Sequence, residues 1–240
     1  MNAKIKRLTE MVDNANSIAV LTGAGISTSS GIPDFRSAGG LYADERNINV
    51  FDLDAFNREP KLYYNFAREF YPRVRQAQPN TAHHKLAEWL KRNKKVTIIT
   101  QNIDDYHQRA GSVPVHTVHG TFITSTCTTC NQVIQTEELS HAIERGELPC
   151  CACGGIYKPD ITFFGEMLPE QEWSASVEAI SESDLLLVIG TSLTVYPAAS
   201  LPSYRAPRTP LVIINRDPTP LDREAAIVIH QDICEVMEAL

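Results

Sequence analysis

The sequence predicts an α/β fold: a parallel sheet covered by helices on both faces, interrupted by a smaller cysteine-rich unit. Two patterns predict it. Short apolar runs rich in Val and Ile, without polar alternation, recur at 17–22, 96–100, 113–118, 185–189 and 211–214, with a weaker sixth at 227–230. Strands buried on both faces read this way. Between them lie segments with helical apolar spacing. Ile5, Leu8, Met11 and Val12 share one helical face, as do Leu86, Trp89 and Leu90 before the second run and Trp173, Val177 and Ile180 before the fourth. Strand and helix alternating in this order give a sheet layered between helices.

Two segments break the alternation. Residues 39–70 carry no strand signal and are dense in aromatics, which predicts a loop followed by short helices. Residues 122–158 hold five of the six cysteines and few apolar runs, which predicts a small unit held by something other than a core. Over 240 residues, 43% are hydrophobic and 21% charged, which excludes a disordered or collagen-like chain. The net charge of −7 argues against a broad nucleic-acid or anionic-membrane footprint. No apolar stretch reaches the ~18 residues of a membrane span, and residues 1–10 carry charges throughout, unlike a secretory signal. A cytoplasmic protein is expected, where paired cysteines more often bind metal than form disulfides.

Cys127 and Cys130 form one C-x2-C pair, and after 19 intervening residues Cys150 and Cys153 form another. Tetrahedral zinc takes four ligands, and each knuckle lets two thiolates converge from one tight turn. Asn131 and Gly154, which follow the pairs, tolerate the left-handed backbone such turns require. Cys151-x-Cys153 is also a pair; Cys150 is preferred because it reproduces the first spacing. One structural Zn2+ per chain is expected, since four cysteines leave no open position for catalysis. Cys234 stands alone in the last helical pattern and is expected to be buried.

The first strand runs directly into Gly23-Ala24-Gly25-Ile26-Ser27, and the fourth into Gly190-Thr191-Ser192. Glycines after a strand let backbone amides approach a pyrophosphate. The dehydrogenase fingerprint nevertheless fails twice. Thr28 stands where its third glycine belongs, and no acidic strand end follows about 20 residues on. Gln101-Asn102-Ile103-Asp104 follows the second strand and His119-Gly120 the third. Carboxyl ends of parallel strands line one crevice, so an amide, a carboxylate and an imidazole meet there. His119 is the natural general base, its ordinary pKa lying near neutrality. His116, within the strand, reads as structural, and His83, His84, His107, His141 and His230 as surface or helix-packing residues.

These motifs appear together with Gly31-Ile32-Pro33-Asp34-Phe35-Arg36-Ser37, Phe163-Phe164-Gly165-Glu166 and Ile214-Asn215, in the order seen in sirtuins. The chain resembles the sirtuin family of NAD-dependent protein deacylases from about residue 8 to about 235, and is most similar to compact bacterial members. The resemblance implies a single catalytic region over 1–240. It comprises a large Rossmann-like domain (about 1–38, 72–121 and 159–240) and a small domain, made of a cofactor loop with helices (about 39–71) and a zinc ribbon (about 122–158). It implies NAD contacts from Gly23, Ala24, Gly25, Thr28, Asp34, Phe35, Arg36, Gln101, Asn102, Ile103, Asp104, His119, Gly190, Thr191, Ser192 and Asn215, with Asp232 or Ile233 at the adenine. Ile161, Phe163, Phe164, Gly165 and Glu166 are implied at the acyl-lysine peptide, which adds as a strand.

The implied reaction breaks the bond between nicotinamide and ribose. The acyl oxygen attacks, and His119 takes a proton from a ribose hydroxyl while Asn102 and Asp104 orient the reacting groups. Products are free lysine, nicotinamide and O-acetyl-ADP-ribose. Asp105-Tyr106 replaces the family's common Gly-Leu, which predicts an extra carboxylate near the cleft. The branch that removes charged acyl groups carries Tyr-x-x-Arg where this chain has Tyr64 and Ala67, so neutral acyl groups, acetyl first, are expected. The expected partners are acetyl-lysine proteins or peptides, with no direct nucleic acid, no membrane, and a monomeric chain. Mono-ADP-ribosyl transfer by the same NAD cleavage is the alternative.

Overall fold

The computed structural model describes residues 3–35, 39–44, 49–92 and 95–240. In chain order the strands are β1 (Ser17–Thr22), β2 (Lys95–Thr100), β3 (Val115–Thr117), β4 (Gly120–Cys127), β5 (Val133–Gln135), β6 (Tyr157–Ile161), β7 (Leu185–Ile189), β8 (Leu211–Ile214) and β9 (Ile227–Ile229). The α-helices are α1 (Ala3–Asn14), α2 (Leu53–Arg58), α3 (Pro60–Gln76), α4 (Thr81–Lys91), α5 (Tyr106–Ala110), α6 (Ser140–Glu144), α7 (Glu170–Ser181) and α8 (Ile233–Glu238). Six strands pair in parallel in the order β3-β2-β1-β7-β8-β9. All six apolar runs are strands of this sheet, the third trimmed to Val115–Thr117 and the sixth to Ile227–Ile229.

The runs are apolar at every position because each face has its own core. Ile18, Val20, Ile98, Leu187 and Ile214 pack on one face with Leu8 and Val12 of α1, Leu86 and Trp89 of α4, and Val236 of α8. Ala19, Leu21, Ile99, Leu186 and Ile213 face the other way, against Ile180 of α7 and Leu201 of the 3-10 helix Ala198–Tyr204. Cys234 is half-buried rather than buried, packed against the first core. No helix among the described residues is long and apolar enough to cross a membrane.

A second, antiparallel sheet has the order β5-β4-β6. It corrects two expectations. The 122–158 segment does have an apolar core: Phe122, Leu139, Ile143 and Tyr157 pack with Phe56, Tyr63, Phe70 and Val74 of α2 and α3. α3 is also a full 17-residue helix. Its buried Tyr63, Ala67, Phe70, Tyr71 and Val74 have helical spacing, which the dense aromatics and the internal Pro72 obscured.

The zinc ligand set is also corrected. The Sγ atoms of Cys127, Cys130, Cys151 and Cys153 lie within 4.8 Å of one another. Two of the pairs, Cys127–Cys153 and Cys130–Cys151, stand at 3.5 and 3.6 Å. Four thiolates at ~2.3 Å from a tetrahedral zinc stand roughly 3.8 Å apart, so the donor set fits zinc. Cys150 is outside the cluster, exposed, with its backbone bridged to Ile156. The turns explain the choice. In the first knuckle the Asn131 amide donates to the Cys127 carbonyl oxygen, and in the second the Gly154 amide donates to that of Cys151. Cys151 is therefore the counterpart of Cys127, although its spacing to the next cysteine is shorter. Asn131 and Gly154 both have positive φ, 59° and 88°. Cys150 precedes Cys151 in the chain, and neighbouring side chains on extended backbone project to opposite sides.

Cys151→Ser is expected to lose the zinc and the cooperative unfolding transition, whereas Cys150→Ser retains one zinc per chain. Metal analysis and thermal melts of the two variants check this; zinc loss from Cys150→Ser alone would reverse the assignment.

Candidate active site

The parallel order places β1 between β2 and β7, so the chain leaves β1 for one side of the sheet and later returns on the other. Ligand crevices form at such switch points, beyond the carboxyl ends of the strands. The two glycine turns meet there back to back. The Gly23 amide donates to the Ile189 carbonyl oxygen at 3.1 Å, and the Gly25 amide to that of Gly190 at 2.8 Å. A Cβ on Gly25 would stand 2.8 Å from the Gly190 oxygen, and one on Gly23 2.7 Å from Thr191 Cβ. The first glycine turn is therefore glycine-rich to fit the second turn. The amides of Gly23 and Gly25 are already engaged and are not free for a pyrophosphate.

A cavity of about 350 Å3 opens above these turns. Its polar wall comes from strand ends: Gly23, Ala24 and Gly25 after β1, Gln101, Asn102 and Ile103 after β2, His119 after β3, Gly190, Thr191 and Ser192 after β7, and Asn215 after β8. Its aromatic wall is Phe35 with Tyr42, Phe51 and Phe163, Phe35 lying 5.5 Å from the Tyr42 ring and 5.8 Å from that of Phe51. Asp34, Ile161, Phe164, Gly165 and Glu166 complete the predicted lining.

Hydrogen bonds fix the polar wall. Gln101 Nε2 donates to Thr191 Oγ1 at 3.0 Å, joining the ends of β2 and β7. Asn102 Nδ2 donates to Ser27 Oγ at 3.1 Å, and Ser27 Oγ donates to Asp104 Oδ2 at 2.9 Å. Asn102 Oδ1 is buried without a partner, an acceptor left for a ligand donor. Burial pushes the Asp104 carboxyl up to about 6, against hydrogen bonds from the Tyr106 amide and Ser27 that pull it down. His119 Nδ1 stands 3.0 Å from the Gln101 carbonyl oxygen. A carbonyl can only accept, so Nδ1 carries the proton and Nε2 is the free base. Desolvation lowers the pKa of His119, and the same bond partly offsets it. Gly120, directly after His119, has φ 73°, and a Cβ there would lie 2.0 Å from the Asp160 carbonyl oxygen.

Several expected residues lie elsewhere. Asp104 stands behind Asn102 and Ser27, off the cavity wall. Thr28 bonds its own helical turn through the Gly25 carbonyl oxygen. Asp232 caps α8 by accepting from the amides of Cys234 and Glu235, and Ile233 is buried in the first core. Arg36 lies outside the described residues. Glu166 is on the wall, but its carboxylate accepts from the Phe163 amide at 2.7 Å and pairs with Lys158 at 2.9 Å. Asp105 lines a different cavity and pairs with Arg109 at 3.6 Å, while Tyr106 is buried with its hydroxyl on the Val74 carbonyl oxygen. The extra carboxylate predicted near the cleft is therefore not there, because α5 begins at Tyr106 and turns Asp105 to its far side. Sequence reasoning missed Ser27, Tyr42, Phe51, Val195 and Tyr196. Ser27 was visible inside the first glycine motif, but nothing in the sequence distinguishes a serine that bridges two loops.

Residues 23–197 match the model of the Sir2 family. An NAD-dependent protein deacetylase of Clostridium perfringens is 39% identical, with the match covering 99% of this chain and 98% of that protein. A solved Sir2 with a p53 peptide and NAD+ superposes with a TM-score of 0.90 at 38% identity, over 98% of this chain and 95% of that one. Another, with a deacetylated p53 peptide and 3′-O-acetyl ADP ribose, gives 0.92 at 38% identity, over 98% and 96%. Sequence and architecture agree along nearly the full length, and the chain belongs to the Sir2 family.

Proposed function

We propose that this protein removes acetyl groups from lysine side chains of proteins, consuming NAD and releasing nicotinamide, O-acetyl-ADP-ribose and free lysine. One observation carries the reading: His119, its tautomer set by the Gln101 carbonyl, shares a cleft with the unsatisfied Asn102 carbonyl on one side and a sleeve of aromatic rings on the other. The names of the relatives, and the peptide, NAD+ and acetyl ADP ribose in the solved neighbours, favour deacetylation over ADP-ribosyl transfer.

Bound NAD supplies a ribose carbon that becomes electrophilic when nicotinamide leaves. The chain supplies alignment and dryness. Asn102 Oδ1 accepts a hydrogen bond from the cofactor, and its amide is steered through Ser27 by Asp104. Phe35 covers the reacting face and keeps water out. His119 Nε2 takes the proton from a ribose hydroxyl. Ala24, Thr191, Ser192 and Asn215 hold the phosphates and the distal ribose, and Ile161, Phe163 and Gly165 border the peptide. The zinc holds the β4–β6 unit and takes no part in the chemistry. The reading extends to a cytoplasmic monomer without nucleic-acid contact, supported by cysteines that suit metal and by the charge of −7.

Acyl preference follows from α3. Tyr64 is buried with its hydroxyl on the Tyr157 carbonyl oxygen, Ala67 is fully buried, and Arg68 lines the other cavity, not the cleft. No arginine reaches an acyl carboxylate in the described cleft.

His119→Ala is expected to lower kcat by ~10²–10⁴ while NAD affinity changes little. Mass analysis of an acetyl-lysine peptide after turnover reads this; undiminished loss of the acetyl mass would overturn the base assignment, and a gain of ADP-ribose would mark the other reaction. Succinyl-lysine peptides are expected to react roughly 10²-fold less efficiently than acetyl ones, since a buried carboxylate without a partner costs about 3 kcal/mol; equal kcat/KM values would contradict it. Asp104 accepts at both oxygens, Oδ1 from the Tyr106 amide and Oδ2 from Ser27, and protonation turns one of them into a donor, so kcat/KM for NAD is expected to rise with pH through about 6 and then level off. Asp104→Asn should remove that acid limb. Stability runs the other way. The folded pKa is raised above the ordinary ~4, so this group's contribution is greatest at low pH and declines as pH rises from about 4 through 6.

A further inference from the structure

Among the described residues four buried side-chain atoms have no hydrogen-bond partner: Asn102 Oδ1 in the cleft, and His83 Nε2, His107 Nδ1 and Ser112 Oγ away from it. The latter three belong together. His83 on α4 and His107 on α5 are fully buried, with ring centroids 4.8 Å apart. The Ser112 amide donates to the His107 carbonyl oxygen at 2.9 Å, which seats Ser112 at the end of the same helix.

The outer nitrogens are engaged. The Asn80 backbone N–H donates to His83 Nδ1 at 3.2 Å. A backbone N–H can only donate, so in the tautomer that makes this bond Nδ1 carries the lone pair and Nε2 the proton. Asn80 Oδ1, which accepts from the Ala82 amide, stands 3.0 Å from the same nitrogen and would accept from it in the opposite tautomer, so the ring tautomer is what the test below reads. At the other end His107 Nε2 lies 3.0 Å from Thr22 Oγ1. Thr22 is the last residue of β1, directly before the first glycine turn, and its carbonyl oxygen accepts from the Gln101 amide. Burial holds both imidazoles neutral, His83 lowered to about 2 and His107 to about 3.

We propose that one internal water, held by His83 Nε2, His107 Nδ1 and Ser112 Oγ, closes a relay from the cap of α4 to Thr22, and that His107 is thereby a positioning residue for the cofactor end of the cleft. Each orphan gains a partner. His83 Nε2–H and the Ser112 hydroxyl donate to the water, the water donates to His107 Nδ1, and His107 Nε2–H donates to Thr22 Oγ1. A water with three partners satisfies every orphan outside the cleft. The relay ties α5, which follows the Gln101–Asp104 segment, to the strand that carries Gly23. Its catalytic consequence rests on the NAD-dependent reading above.

The test has two arms. In the wild-type protein, nitrogen-15 spectra of the histidine rings are expected to show Nε2–H tautomers for both His83 and His107 from pH 5 to 8, and a high-resolution crystal structure one water on the three atoms. An Nδ1–H tautomer at either ring, or a dry contact, overturns the relay whatever the activity. In the second arm His107→Leu is expected to raise KM for NAD at least tenfold while KM for the acetyl peptide stays within twofold. His107→Gln, whose Nε2 can still reach Thr22, should restore most of the difference. Equal changes in both KM values, or a lowered Tm with unchanged kinetics, would reduce His107 to packing. If the wild-type enzyme turns over no NAD, the deacetylase reading fails while the spectroscopic arm still decides the relay.

Discussion

Two backbone turns press against each other at the carboxyl edge of the parallel sheet, and the rest of the cleft is arranged around that contact. Gly23 and Gly25 stand so close to Gly190 and Thr191 that a methyl group on either would meet atoms at under 3 Å. The contact fixes β1 against β7, and the Gln101–Thr191 hydrogen bond then fixes β2 against both. With three strand ends locked, Asn102, Gln101 and His119 are presented from rigid supports. This is the condition under which preorganised polar groups are effective. The glycines thus act through protein-to-protein fit as much as through any approach to phosphate.

The aromatic half of the cleft depends on the other sheet. Phe51 packs edge-on to Phe35, Phe66 and Phe163, and Phe163 packs on Phe56 and Tyr63, so the cleft wall is the outer layer of the core that fills α2 and α3. Lys158 lies over the Phe163 ring at 4.3 Å and pairs with Glu166, which closes that wall with a cation above an aromatic face. The zinc cluster sits on the same unit, where Cys127 and Cys151 are part of its apolar core. The metal and the aromatics therefore stabilise one body.

The sheet was legible because parallel strands covered on both faces leave a plain trace, five-residue runs such as Leu185–Ile189 with no polar member. The cleft was legible because ligands gather at strand ends, so Gln101, Asn102, His119 and Thr191 could be placed from the sequence by their position after a strand. Four things were hidden. The choice between Cys150 and Cys151 turns on which carbonyl accepts from the residue after the knuckle, a backbone relation that spacing does not encode. α3 was masked because aromatic residues with helical spacing also occur in loops. Asp105 was placed wrongly because one residue decides which side of a short helix a carboxylate faces. Asp104 acts through Ser27, a residue far away in sequence.

His119 and Gly120 form the covalent joint at which the chain passes from the parallel sheet to the antiparallel one. The His119 carbonyl oxygen accepts from the Thr162 amide, just beyond β6, while its ring leans on the Gln101 carbonyl beyond β2. The imidazole is therefore anchored to both bodies at once, like a pin through a hinge. The ring's place is thus set by the parallel body through its side chain and by the antiparallel body through its backbone, and neither sheet alone determines it.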